Sequence, residues 1–290
     1  MHWTVEQILW ALVLAAHLVL LIVLLGRDRT SRFAWFTAVI ALSGARLIAD
    51  HLLHGRLTTV AFYWQTYVGM ALDAILGIVV LIELTRRVFS SGKAGLLLKL
   101  RGWIGWSLVT VIVAGGVLWL WGRPWPSMAS LRAQPEEFPL LLTIVFALKA
   151  MIFTALLTIE VGLLLRIFGR RFGFGWKSHE QQIALGLSTN ALAIVGVQAI
   201  EDLIRHNIHF TTAAERNQLA EHFGRVFSNL ENARNSLWFV VLVWWIVWLW
   251  RDEPGGVPVP GEDEMPVLAG PPPIDAESSL DDEENLEAEY

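Results

Sequence analysis

The chain has 290 residues, of which 54% are hydrophobic and only 17% charged, with a mean hydropathy of +0.50 and a net charge of −5. A soluble domain carries about 25% charged residues, so the composition excludes an ordinary water-soluble fold, and no nucleic-acid partner is expected. There is no cysteine, which excludes disulfides, thiolate metal sites and cysteine nucleophiles.

Seven long apolar stretches lie near residues 8–25, 33–53, 61–84, 103–121, 139–165, 180–203 and 236–250. A helix that crosses the hydrocarbon of a bilayer needs roughly 20 such residues. The first stretch does not read as a cleaved signal peptide. Met1 to Glu6 has no Lys or Arg, and the basic residues Arg27, Arg29 and Arg32 come after it, the wrong order for a secretory leader. The second stretch carries Ser43, Arg46, Asp50 and His54 at helical spacing on one face. The third carries Asp73 near its midpoint and ends in Glu83–Arg87 (ELTRR). G-protein-coupled receptors place an acid–Arg pair at that end, but with a different spacing. In the fourth, Gly115-Gly116 reads as a close helix contact or a flexible point.

The fifth stretch is long enough to tilt or to run past the membrane face. Its Lys149 and Glu160 are eleven residues apart, close to three helical turns, and share a face. The sixth carries Asn190 at mid-depth, then Gln198, Glu201 and Arg205 on one face. Ahead of the seventh, Thr212 and Glu215 form a capping-box pattern. Leu219, Phe223, Val226, Leu230, Ala233 and Leu237 then recur at heptad-like spacing. This predicts a helix that projects from the membrane within an outer segment, 204–235, and continues into the seventh span. Its seam over 212–237 packs on the end of the sixth helix, or serves as a dimerisation or receptor surface.

Residues 1–250 form one membrane domain with a net charge of +7, and residues 251–290 are a Pro-rich acidic tail with a net charge of −12. Such a composition predicts disorder. The tail over 252–290 reads as a solubilising segment or as a docking segment for a cytoplasmic protein.

Lys and Arg collect on the cytoplasmic side of short loops. They are dense after the first, third and fifth stretches and sparse after the second and fourth. The expected architecture is all-α: a seven-helix bundle in the inner cell membrane, N-terminus out and C-terminus in.

Ionisable groups at depth are costly in lipid and mark functional sites by default. Arg46, Asp50, Asp73, Lys149, Glu160, Asn190, Gln198 and Glu201 are therefore the candidate lining of a ligand or ion pathway. Depth and sign suggest Asp73 with Lys149, and Arg46 with Glu201 or Asp50. His51 with His54, and His206 with His209, place imidazoles in pairs toward the outer side, a conceivable zinc or copper site. Haem needs ligands at matched depths, and only His17 is deep, so no cofactor is expected. No HExxH, GxSxG or phosphate-binding loop occurs, and the seventh stretch holds no lysine for retinal.

Val243 to Gly255 (VWWIVWLWRDEPG) and Leu47 to Leu57 (LIADHLLHGRL) resemble parts of uncharacterised bacterial seven-helix integral membrane proteins. That resemblance implies the fold and brings no activity or catalytic residue with it. The leading expectation is a sensor or scaffold, not an enzyme, that binds a ligand or partner and docks a cytoplasmic protein through its tail. The alternatives are a small-molecule, ion or proton transporter using the intramembrane charges, and a membrane redox or metal-binding subunit. Reporter fusions at His54 and at Tyr290 are expected to report opposite sides of the membrane. The same side for both would overturn the orientation.

Overall fold

The computed structural model describes residues 4–53, 55–90, 109–110, 112–117, 125, 127, 135, 137–168, 178–207 and 213–252, with side chains over these except at 89–90, 205–207 and 213–222. Six long helices account for most of them: α1 Val5–Gly26, α2 Ala34–Leu53, α3 Thr59–Ser90, α4 Phe138–Phe168, α5 His179–Asn207 and α6 Ala213–Trp250. All six are long and apolar enough to cross a membrane, as a multi-pass membrane protein requires. No strand occurs among the described residues.

The helix ends follow from local chemistry. Thr4 and Gln7 close a capping box at the start of α1, each side chain bonded to the other's backbone N–H. At the other end of α1, Asp28 adopts a left-handed φ of 49°. Its N–H bonds Leu25 O and the Arg29 N–H bonds Leu24 O, which is the Schellman arrangement with Asp in the place glycine usually takes. This tight turn aims Arg27, Arg29 and Arg32 across the end of the bundle. The start of α2 is capped from another helix: Glu83 of α3 accepts the backbone N–H groups of Trp35 and Phe36 at 3.3 and 3.1 Å. A carboxylate there meets free donors and the positive end of the helix dipole. The acid of the ELTRR run thus serves α2, while Arg87 lies over the Phe33 ring.

The helices form a closed ring in chain order, with α6 packed along α1. Trp10 bonds Leu47 O and His17 sits against Gly44, so α1 and α2 are antiparallel. The contacts of α2 with α3, of α4 with α5 and of α5 with α6 are antiparallel too. His17–Trp238 and Arg27–Trp250 make α1 and α6 parallel. It follows that α3 ends and α4 begins at opposite ends of the bundle. Most of the expected fourth stretch lies outside the described residues. Residues 109–110 and 112–117 within it are helical.

The bundle is asymmetric along its axis. Leu20, Leu24, Phe33, Phe36, Ile40, Leu84, Leu165, Ile183, Leu242, Trp245 and Leu249 are fully buried, and all lie in the half nearer Gly26. Trp245 is central to them. It meets Phe36 and Trp238 edge-on, with ring centroids 5.0 and 5.4 Å apart, and donates its indole N–H to Gln182 O at 3.1 Å. Gly186 is what lets the ring approach α5, since a Cβ there would overlap the indole. Gly77 against Thr154 and Gly162 against Ser188 repeat this close approach through small residues, the usual way helices associate where water supplies no driving force. Large apolar side chains such as Ile22, Leu25 and Ile167 point outward, as lipid-facing residues do.

The helix anticipated ahead of the last span is present and unbroken: α6 runs for 38 residues, about 57 Å at 1.5 Å per residue, against roughly 30 Å of hydrocarbon. Thr212 and the side chain of Leu219 lie outside the described residues. Phe223, Val226, Leu230 and Leu237 of the seam are half-buried, whereas Ala233 is exposed.

Gly186→Val is expected to lower stability by about 1–3 kcal/mol through overpacking, and Trp245→Ala by about 3–5 kcal/mol. Thermal unfolding of the detergent-solubilised protein checks both. Gly196→Ala, at a position with open space around it, is the control that should not lose stability.

Candidate functional site

Two charged clusters stand out, one in each half of the bundle. The first joins α2 to α3 in the half nearer Thr4. Arg46 forms an ion pair with Asp73, and its Nε lies 3.9 Å from Asp50 one turn along α2. Gln65 donates to Asp50 at 2.6 Å. Gly69, one turn before Asp73, leaves the space in which the guanidinium lies flat on α3. Asp50 and Asp73 remain 43% and 45% exposed although both sit in candidate spans.

The other expected pathway residues can be ranked by height from neighbouring contacts. Thr154 of α4 bonds Ala74 O of α3, and Ser188 of α5 bonds Thr158 O of α4. Five residues up α4 from Thr154, about 7 Å, Lys149 comes level with Gly69 and the Arg46 guanidinium. Gln198, about 15 Å along α5 from Ser188, reaches the same height. One polar layer therefore includes Arg46, Asp73, Lys149 and Gln198, contributed by α2 to α5. Asp73 takes Arg46 as partner, where Lys149 was the expectation, and the Lys149 ammonium lies 5.5 Å from the centroid of the Trp125 ring. Gln198 donates to Asp202 at 3.1 Å and borders a small recess with Ile152, Leu156 and Val195. Glu201 is half-buried on α5.

Glu160 and Asn190 are deeper, near the Thr158–Ser188 contact. Glu160 accepts a hydrogen bond of 2.5 Å from the buried Thr110 hydroxyl, tying α4 to the helical residues around 110. Asn190 is half-buried. Of the histidines, His51 stacks on Trp10 at 4.2 Å between ring centroids, an interface role. His54, His209 and the His206 side chain lie outside the described residues. No group of three His, Cys, Asp or Glu that could hold a metal ion occurs among the described residues.

The second cluster was not anticipated. It closes the Gly26 end around the first turn of α5, where Ser178, His179, Glu180, Gln181 and Gln182 are all buried. Ser178 caps the helix by accepting the Gln181 N–H. Arg32 grips Glu180 Oε1 through Nε at 3.2 Å and Nη2 at 2.7 Å. Gln181 donates to Leu165 O, and Gln182 accepts from Trp244. Arg29 donates to His179 Nδ1 at 2.8 Å and to Arg251 O at 3.2 Å, and His179 Nε2 also reaches Arg251 O at 3.2 Å. Asp252 pairs with Arg27 and Arg29 at 3.3 and 3.9 Å. The ends of α1, α5 and α6 are thus tied by one network at the point where the chain leaves the bundle. The sequence signals were the Ser178-x-x-Gln181 cap pattern and an acid opposite three arginines.

A double-mutant cycle should couple Arg46 and Asp73. Arg46→Gln and Asp73→Asn each leave a charge at depth without its partner, and the double variant removes both. A coupling energy of about 1 kcal/mol is expected from chemical or thermal unfolding, with additive losses as the contrary result.

No family model matches the chain, and no curated protein and no solved structure matches it either.

Proposed function

We propose that this chain is a seven-span integral membrane sensor or scaffold, oriented N-out and C-in in the inner membrane. The polar layer around Arg46 and Asp73 receives a small ligand or a partner, and the acidic segment after Arg251 docks a cytoplasmic protein. The observation that carries this reading is the anchoring of Arg251 and Asp252 to Arg27, Arg29 and His179. The root of the docking segment is held by three helix ends, so a shift of any of them moves it. The fully buried apolar layer around Phe36, Leu84, Ile183 and Trp245 separates the polar layer from the Gly26 end. That supports a receptor with one polar mouth over a continuous pathway.

A transporter is the second reading, favoured by the exposed carboxylates of Asp50 and Asp73 inside candidate spans. The two differ in which half matters. In a detergent pull-down, the sensor is expected to capture a cytoplasmic partner with the full chain and to lose it when residues 252–290 are removed, while Asp73→Asn retains capture. A transporter keeps flux without the tail and loses it in Asp73→Asn. Capture that is indifferent to the truncation sinks the docking reading.

A further inference from the structure

The first turn of α5 and the root of the tail are joined through one imidazole. Arg29 Nη1 lies 2.8 Å from His179 Nδ1. A guanidinium has donors only, so Nδ1 is the acceptor, and the ring proton sits on Nε2. Nε2 is 3.2 Å from Arg251 O and donates to it. Arg29 contacts the same carbonyl, so three groups hold one another in a closed triangle. His179 is only 1% exposed.

The charges that face this ring come from each neighbouring element. The α1–α2 turn brings Arg29 itself, flanked by Arg27 and Arg32, with Asp28 at its apex. On α5 the next residue, Glu180, is turned toward Arg32. From α6 come Arg251 and Asp252, the latter engaged with Arg27 and Arg29. Glu83 and Arg87 of α3 reach the same end through the α2 N-terminus and Phe33, and Arg166 of α4 follows the Leu165 carbonyl that Gln181 contacts. A second proton on the imidazole converts Nδ1 from acceptor to donor and sets an imidazolium against the Arg29 guanidinium.

We propose that Arg29, His179 and the Arg251 carbonyl form a proton-operated latch, which holds the tail root to the bundle while the imidazole is neutral and releases it when the imidazole takes a second proton. No bond other than N–H is made or broken, and the proton comes from solvent at the Gly26 end. The use of the latch rests on the reading of the tail as a docking segment. Its operation does not, and can be measured without a partner.

The experiment uses the full chain in lipid nanodiscs. Trypsin cleavage after Arg251 releases residues 252–290, which contain no Lys or Arg, as one fragment that mass spectrometry quantifies. His179→Gln keeps a donor and an acceptor but does not titrate. The ratio of wild-type to His179→Gln cleavage rates cancels the protease's own pH profile. That ratio is expected to rise at least about fivefold as the pH is lowered from about 8 to about 4.5. A ratio that stays constant overturns the latch. Should His179→Gln fail to give a monodisperse particle, Arg29→Gln replaces it as comparator. Its amide can still donate to Nδ1 but carries no positive charge, so the wild type must again show the larger pH step. A pH step without partner capture would sink the docking reading alone, and capture without a pH step would sink the latch alone.

Discussion

A charge withdrawn from water must be met by its complement, because the loss of hydration is offset only by close and well-directed bonds. The Gly26 end of this bundle is organised around that requirement. Glu180 is buried on the first turn of α5, where its carboxylate is gripped twice by Arg32. Arg32 can reach it because the left-handed turn at Asp28 swings the α1–α2 connection over the bundle. The same turn delivers Arg29 to His179 and Arg27 to Asp252. Remove the Arg32–Glu180 contact and a buried carboxylate loses its cation, although Gln181 and Gln182 still tie the turn to Leu165, Trp244 and Trp245.

Above this closure the two halves of the bundle obey different rules. Near Gly26, packing is dry and specific: Trp245 fits against Gly186, Phe36 and Trp238, and its one polar atom is matched by Gln182 O. Near Thr4, α2 and α3 meet through charge, with Arg46 laid on α3 at Gly69 and bonded to Asp73. Two apolar surfaces in contact gain little from hydrophobicity inside lipid. A polar clasp can therefore hold α2 to α3 where apolar contact alone would contribute little.

The sequence made some of this legible and hid the rest for physical reasons. Each described span announces itself through composition, since the bilayer demands a long apolar run and little else. The unbroken α6 was readable because a heptad-like seam from Phe223 continues without proline into the last span. Counting residues placed Asn190 at mid-depth and Gln198 farther out, whereas the helix contacts level Gln198 with Lys149 and leave Asn190 deeper; the shared height of Asp73 and Lys149 did follow from the count. Which charges pair did not, because pairing depends on helix rotation and on which helices are neighbours. Arg46 meets Asp73 because α2 and α3 run antiparallel side by side, while the Lys149 ammonium is directed at Trp125. The buried turn from Ser178 to Gln182 was the least visible. A polar string between two spans reads as a solvated loop, and only the three arginines facing it say otherwise.

α6, a rod of 38 residues without proline whose own Trp238 and Trp245 pack its lower half into the bundle, bends little. Motion imposed on its upper end is poorly absorbed along the way. It would appear as rotation or piston travel at Trp250, where the helix meets Arg27.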